Sequence, residues 1–187
     1  MASRVSARAI VLAAGKGTRM KSALPKVLHE LCGRPMLWWV LEALRSAGID
    51  DVVVVTNPEL DPHVTAQGVR TVIQAEQLGT GHAVKIALEA IEPGDGCLVV
   101  AYGDMPLAGG AIFEDVQAAV DPDAGTALAL VTAVMPLPSA FGRIVRSGDA
   151  VQRIVEAKDC TREQLDIAEM NAGIYAYDER ALRAAIA

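Results

Sequence analysis

Short apolar runs alternate along the chain with segments whose apolar residues recur at helical spacing. The apolar runs are almost free of charged residues, which is typical of strands buried on both faces of a sheet. Because predicted strands and helices alternate along the chain, the sequence predicts an α/β fold with a mostly parallel central sheet and helices on both faces. The predicted strands are residues 9–14, 52–56, 69–73, 97–101 and 126–133, and the predicted helices are residues 35–47, 82–91 and 111–120.

The pattern changes after Pro136, where the predicted strands become shorter and more polar. Ser147-Gly148-Asp149 is a hairpin signal between two of them, and a small polar helix is predicted after Thr161. This part predicts a small β-rich extension on the substrate side of a single domain over residues 1–187. A last helix is predicted from about Asp178 and still runs at the final residue, so we expect a chain truncated at its C-terminus. The short strands are residues 141–145, 151–155 and 171–177.

The charge balance argues against two classes of partner. The 187 residues include 17 Lys and Arg against 23 Asp and Glu, a net charge of −6, which disfavours a broad surface for nucleic acid or for an anionic membrane. Three widely spaced cysteines suggest neither disulfides nor a zinc site, and a reducing cytoplasm is the expected compartment. Because the net charge is negative, any phosphate-binding site must be local. The sequence indicates no oligomeric state.

A glycine-rich loop, residues 15–19 (GKGTR), follows the first predicted strand. Two glycines allow backbone N–H groups to turn toward an anion, and two cations lie beside them, so a triphosphate is the expected ligand. A Walker loop would need glycine in place of Ile10 and Ser or Thr in place of Gly17. A dinucleotide fingerprint would need a third glycine in place of Met20. The loop therefore belongs to another class of phosphate-binding loop.

Two charged residues downstream complete a candidate phosphoryl-transfer site. Lys26 follows Pro25, which restricts the local backbone, and it adds a third cation to Lys16 and Arg19. Asp104 follows the predicted strand 97–101, where a single carboxylate suffices to begin a magnesium site completed by phosphates and water. The alternatives are ordinary surface cations and an aspartate that caps the following turn.

Residues 74–83 (QAEQLGTGHA) form a glycine-rich entry into a predicted helix. Amide and backbone groups there could read the edge of a nucleotide base. His82 taken alone is more often a structural histidine than a catalyst, so both interpretations stay open for it.

Seven segments in order, LAAGKGTRM, PKVLHEL, QAEQLGTGHA, YGDMPL, FGRI, VEAKD and MNAGIY, carry a family resemblance. Over residues 9–177 the chain resembles the N-terminal uridyltransferase half of the bacterial GlmU family, N-acetylglucosamine-1-phosphate uridyltransferases. The resemblance implies a Rossmann-like nucleotidyltransferase fold, with residues 1–107 binding nucleotide and residues 108–187 forming the sugar-phosphate side. It also implies that the family's half continues past residue 187, where a second metal-binding asparagine lies.

The implied reaction serves cell-wall precursor synthesis. UTP and N-acetylglucosamine 1-phosphate would give UDP-N-acetylglucosamine and pyrophosphate, with Mg²⁺ as cofactor. By similarity, each role falls on matching positions of this chain. The catalytic residues would be Arg19 and Lys26; the nucleotide-binding residues Leu12, Ala13, Ala14, Gly15, Lys26, Gln74, Gly79 and Thr80; the substrate-binding residues Tyr102, Gly103, Asp104, Gly142, Glu156 and Asn171; and the metal ligand Asp104.

Three alternatives remain. The first is another nucleotidyltransferase, MobA-like or specific for a different sugar phosphate. The second is a nucleotide-binding module without turnover. The third is a dinucleotide-binding oxidoreductase, which is disfavoured by Met20 and by the lack of an acidic residue about 20 positions past the loop.

Overall fold

The computed structural model describes residues 7–15, 17 and 20–186. Short 3-10 helices span Lys26–Leu28 and Ala157–Asp159. The strands among these residues are β1 Ala7–Leu12, β2 Glu30–Leu31, β3 Arg34–Pro35, β4 Asp51–Thr56, β5 Arg70–Ile73, β6 Cys97–Tyr102, β7 Leu128–Val134, β8 Arg143–Ser147, β9 Ala150–Val155 and β10 Glu169–Asp178. The helices are α1 Met36–Ser46, α2 Asp61–Thr65, α3 Thr80–Glu89, α4 Gly110–Ala118, α5 Arg162–Leu165 and α6 Glu179–Ile186.

The described residues fall into two compact units. The first contains the residues up to Ala129 together with those from Tyr175 onward, and the second is Leu130–Ile174. The chain thus leaves the first unit within β7 and returns to it within β10.

The first unit is built on a parallel sheet with strand order β5-β4-β1-β6, in which β10 is the other neighbour of β6. Alternation along β1 gives the sheet two buried faces, because successive side chains point to opposite sides. Ile10 and Leu12 pack in the cluster that includes Ala87 and Leu88 of α3. The predicted α/β fold with a mostly parallel sheet is confirmed.

Helix α1 shows how local sequence sets an element's bounds. It begins at Met36 directly after Pro35, whose fixed φ suits a helix entry, and Gly48 with φ of 77° closes it. Leu37, Val40, Leu41 and Leu44 form its buried face.

The second unit contains the predicted hairpin. Strands β8 and β9 pair antiparallel, with Ser147 opposite Ala150 and Gly148 at φ of 58° in the turn. Strand β10 pairs antiparallel with β8, where Met170 lies opposite Arg143. The short strands and the small helix α5 after Thr161 were therefore correctly expected.

A two-strand hairpin and one short helix were not predicted from the sequence. Strands β2 and β3 form a tight hairpin through Cys32 and Gly33, whose φ values of 51° and 76° are those of a type I′ turn. Helix α2 is a short helix at Asp61–Thr65. None of the helices among residues 7–15, 17 and 20–186 combines the length and the hydropathy that a membrane span requires.

Candidate active site

A cavity of about 410 Å³ opens in the first unit, where β1, β4 and β6 end. Carboxyl ends of parallel strands meet at the same edge of a sheet, which is the usual ligand position in such folds. The volume lies in the range of small-molecule sites. The cavity is lined by Leu12, Ala13, Ala14, Gly15, Gly17, Lys26, Val27, Val55, Gln74, Gln77, Gly79, Thr80, Ala83, Tyr102 and Asp104.

The backbone of the first loop is fixed by hydrogen bonds from three directions. The N–H of Ala13 donates to the carbonyl of Val55 at 2.9 Å, so the loop leaves β1 along β4. The carbonyl of Ala14 accepts from the side-chain amides of Asn57 at 3.1 Å and Gln77 at 2.6 Å. Ala14 and Gly15 both line the cavity, and their N–H groups donate to no described residue.

Asn57 is itself held by the turn that leads into α2. Its Oδ1 accepts the N–H of Leu60 at 2.8 Å, and the hydroxyl of the buried Thr56 donates to Asp61 at 2.8 Å. Hydrogen bonds from the hydroxyls of Thr71 and Thr56 hold the pKa of Asp61 below its ordinary value. An ionised Asp61 therefore anchors the turn that directs the Asn57 amide at the loop.

Lys26 and Asp104 form an ion pair at the cavity, although they are 78 positions apart in the chain. Val27 is buried and fixes the short 3-10 helix that begins at Lys26. Both charged side chains are about one-third exposed, at 37% and 29%, so ligand can reach them. A lysine ammonium carries three donors, and the bond to Asp104 leaves two for phosphate oxygens.

Gly17 lies directly behind Lys26. Its φ is 57°, and a Cβ at this position would lie 2.7 Å from Cβ of Lys26. Only glycine avoids both the unfavourable dihedral and the overlap. The second glycine of the loop therefore allows the loop and the lysine segment to meet.

Residues 74–83, the segment expected to read the edge of a base, are held in place by side-chain contacts. Nε2 of the buried Gln74 lies 3.1 Å from the carbonyl of Gly79 and 3.0 Å from Nδ1 of His82. The hydroxyl of Thr80 is 3.3 Å from that of Tyr102. Gly79 adopts φ of 105° just before α3, a conformation that favours glycine.

The three residues that the family resemblance assigns to sugar binding lie together in the second unit. The N–H of Asn171 donates to the carbonyl of Gly142 at 2.9 Å. A Cβ on Gly142 would lie 3.5 Å from Oε1 of Glu156, so that carboxylate faces the glycine. The three residues form one polar cluster, in which Glu156 follows β9, Asn171 lies on β10 and Gly142 precedes β8.

The other expected site residues do not all line the cavity. Gly103 is not among the lining residues of the cavity, because it packs toward Leu37 and Val11, and its N–H donates to the carbonyl of Leu12 at 2.9 Å. Arg19 and Lys16 lie outside the described residues. Gln77 and Asn57 were not among the site residues expected from the sequence, and both reach the carbonyl of Ala14 from distant segments of the chain.

The side-chain ligands available around Asp104 determine which metal ion could bind there. Among residues 7–15, 17 and 20–186, no group of three or more His, Cys, Asp or Glu side chains converges as a metal site. Oδ2 of Asp104 contacts Lys26, and its other oxygen accepts from no described residue. One free carboxylate oxygen fits a divalent ion whose other ligands are phosphates and water, and phosphoryl-transfer enzymes generally use such an ion.

Comparison with known proteins places the chain among nucleotidyltransferases. Residues 9–165 match the family model of the MobA-like NTP transferase domain. A solved Bacillus anthracis structure assigned as a glucose-1-phosphate thymidylyltransferase superposes with a TM-score of 0.70 at 19% identity, covering 95% of this chain and 73% of that one. At that identity the likeness concerns the fold alone, and it confirms the expected Rossmann-like α/β class.

Curated relatives are more similar in sequence. The bifunctional protein GlmU of Clostridium perfringens is 44% identical over 93% of this chain and 39% of its own length. That of Trichlorobacter lovleyi is 45% identical over 95% of this chain and 40% of its own length.

The chain thus spans about two-fifths of the length of these relatives. The resemblance to the GlmU family is confirmed. Since the family model covers most of its length, the chain belongs to the MobA-like NTP transferase domain family.

Proposed function

We propose that this chain transfers a uridylyl group from UTP to N-acetylglucosamine 1-phosphate, yielding UDP-N-acetylglucosamine and pyrophosphate. The observation that carries the proposal is the cavity in which Lys26 and Asp104 meet the loop after β1 and the Gln74 amide. The sequence identity with GlmU proteins over most of this chain supports the choice of nucleotide and acceptor.

The nucleotide half of the cavity supports binding of a triphosphate. Ala14 and Gly15 line it on a loop that is already hydrogen-bonded elsewhere, and their N–H groups, which donate to no described residue, would bind the phosphates. A preorganised donor costs no rearrangement when an anion binds. Gln74, Gly79 and Thr80 lie along the same wall and would contact the base.

The reaction needs little acid–base chemistry from the protein. An oxygen of the sugar phosphate attacks the α-phosphorus of UTP, and the bond to the departing pyrophosphate breaks with its electron pair on the leaving oxygen. Charge spreads over the transferring group and the leaving oxygens in this step. The Lys26 ammonium, held at the cavity by Val27 and Gly17, would donate to these oxygens.

Asp104 would hold Mg²⁺ through its free carboxylate oxygen, and the ion would neutralise phosphate charge. The ion pair with Lys26 keeps the carboxylate directed into the cavity. Arg19 is proposed as a second cation for the phosphates on the basis of the family resemblance.

The cluster of Gly142, Glu156 and Asn171 would bind the sugar of the nucleotide sugar. A carboxylate and an amide are suited to sugar hydroxyls, since both can form directional hydrogen bonds with them. The absence of a side chain at Gly142 leaves room beside Oε1 of Glu156.

A panel of substrates tests the proposal. Pyrophosphate release is measured with UTP, CTP, GTP, ATP and dTTP, each with N-acetylglucosamine 1-phosphate and with glucose 1-phosphate, in the presence of Mg²⁺. We expect UTP with N-acetylglucosamine 1-phosphate to give the highest kcat/KM. A tenfold preference for another base or acceptor would point to a different nucleotidyltransferase. Nucleotide binding with no pyrophosphate from any pair would indicate a module without turnover.

A further inference from the structure

The side-chain amide of Gln74 is fixed at its nitrogen. Nε2 lies 3.1 Å from the carbonyl oxygen of Gly79 and 3.0 Å from Nδ1 of His82. The backbone is fixed as well, because the N–H of Gln74 donates to the carbonyl of Thr56 at 2.7 Å. The side chain is buried at the cavity wall, so it has little freedom to turn as a whole.

The chemistry of the partners determines which way the amide faces. The carbonyl of Gly79 can only accept, and it also accepts the N–H of Ala83 at 3.1 Å as the first hydrogen bond of α3. The Gln74 atom beside it must therefore be the NH₂ group, since a carbonyl oxygen there would face another oxygen. The second proton of that NH₂ group is directed at His82.

His82 must then accept through Nδ1 and carry its proton on its own Nε2. With both protons of Gln74 Nε2 engaged, its Oε1 is the free polar atom of the side chain. Oε1 accepts from no described residue, and the side chain that carries it lines the cavity, so Oε1 is the acceptor that a ligand there can use.

An acceptor fixed at the cavity wall discriminates between pyrimidine bases. N3 of uracil carries a hydrogen and can donate to Oε1, whereas N3 of cytosine carries a lone pair and would repel it. A site built to pair one donor rejects an analogue that lacks it, because the buried acceptor is then left unpaired.

We infer that His82 is a positioning residue for base selection: by accepting from Gln74 Nε2, it holds Gln74 Oε1 toward the base and favours one with an N–H donor. The inference rests on the nucleotide-binding part of the proposed function, since it assumes that Gln74 faces the base. It assigns to His82 a task that requires no contact with the nucleotide.

Binding titrations on the full chain test the inference without turnover. The probes are UTP, CTP and 3-methyluridine triphosphate, in which a methyl group replaces the N3 hydrogen. We expect the unmodified protein to bind UTP more tightly than either analogue. In His82→Leu the preference for UTP over both should fall about tenfold, as expected for one lost hydrogen bond.

Two further variants separate positioning from a merely structural role. In His82→Asn, Oδ1 takes a place close to that of Nδ1, so the preference should stay within about threefold of the original. In His82→Gln the polar atoms lie farther from the backbone, so this variant should behave like His82→Leu. His82 is half-buried in the first turn of α3, and we expect each variant to keep its thermal midpoint within a few degrees.

A double-mutant cycle shows whether His82 acts through Gln74. Gln74→Met should abolish the preference for UTP, and adding His82→Leu should then change nothing further. Additive effects would overturn the inference, as would an unchanged preference in His82→Leu or equal losses in the Asn and Leu variants.

The two proposals fail in different ways. If pyrophosphate is released from UTP but its preference over CTP is independent of His82, the inference fails and the proposed function stands. If no acceptor yields pyrophosphate but binding of UTP over 3-methyluridine triphosphate depends on His82, the proposed function fails and the inference stands. In turnover, His82→Leu should raise KM for UTP with little change in kcat, because the base contact is the same in substrate and transition state.

Discussion

Lys26 is the residue at which the parts of the candidate site meet. Gly17 lies behind its Cβ, Asp104 pairs with its ammonium, and Pro25 precedes it. The lysine is thus held from both ends although its side chain is 37% exposed. A cation held in this way neutralises phosphate charge more effectively than one on a free side chain, because it is in place before the charge develops.

Removing either partner of this ion pair should reduce transfer. We expect Lys26→Ala and Asp104→Asn each to lower kcat/KM for uridylyl transfer by at least about a hundredfold, the usual effect of losing a positioned electrostatic group. Steady-state pyrophosphate release measures the effect. Lys85→Ala and Asp123→Asn remove the same charges outside the cavity and should stay within about twofold. Near-normal rates for both site variants would remove these residues from the mechanism.

Gly17→Ala should disturb Lys26 without removing it. The new Cβ would lie 2.7 Å from Cβ of Lys26, and φ of 57° adds strain, so we expect kcat/KM to fall about tenfold or more. Gly148→Ala is the matched control, with φ of 58° in the β8–β9 turn and nothing within 4 Å of the added Cβ. It should lower the thermal midpoint and leave transfer unchanged. Equal rates for Gly17→Ala and the original chain would contradict the close approach.

The individual site residues differ in how far sequence could predict them. Lys26 and Asp104 could be placed because they lie close to a proline and a strand end, which are local signals. Gln77 and Asn57 could not, since their amides reach the carbonyl of Ala14 across 63 and 43 positions. The contact of His82 with Gln74 depends on how α3 is oriented against β5, which no local pattern encodes.

Element types were predictable where a buried face imposed a period. Helix α1 was expected over residues 35–47 and is Met36–Ser46, while α3 begins at Thr80, two positions before the expected start, because Gly79 turns the chain into the helix. The two-residue strands β2 and β3 are too short to show a period, and Cys32 is an uncommon residue for a positive φ.

The pairing of β8 with β10 should depend on pH. Arg146 on β8 forms two hydrogen bonds with Glu169 on β10, of 2.8 and 2.7 Å, and holds the pKa of that carboxyl below its ordinary value. A lowered pKa stabilises the fold above the pKa of the unfolded chain, and the stabilisation is lost as pH falls through the folded value. Glu169→Gln should therefore cost about 0.5 kcal/mol at pH 7, a modest figure because the pair is partly exposed, and the cost should shrink as pH falls through the lowered pKa of Glu169.

Urea unfolding midpoints between pH 7 and pH 3 measure this dependence. Glu163→Gln, on the exposed helix α5, removes a carboxylate without this pairing and should leave the midpoint nearly unchanged at every pH. A Glu169→Gln deficit that does not shrink as pH is lowered would show that the ion pair is not its cause.

At the scale of the whole molecule, the two units separate the proposed tasks. The first unit carries the cavity and the residues expected to bind nucleotide, and the second carries Gly142, Glu156 and Asn171. The strand alternation could be predicted from sequence, whereas the division within β7 and β10 could not, because it depends on contacts between distant segments.

The central claim is that this chain forms UDP-N-acetylglucosamine by uridylyl transfer. Phosphorus NMR of the chain with UTP, N-acetylglucosamine 1-phosphate and Mg²⁺ tests it directly, because the diphosphate of the product and free pyrophosphate give separate resonances. We predict that both appear in equal amounts as UTP is consumed, and that neither appears with Asp104→Asn on the same timescale. UTP that stays intact with the original chain, or is hydrolysed without forming the nucleotide sugar, would contradict the claim.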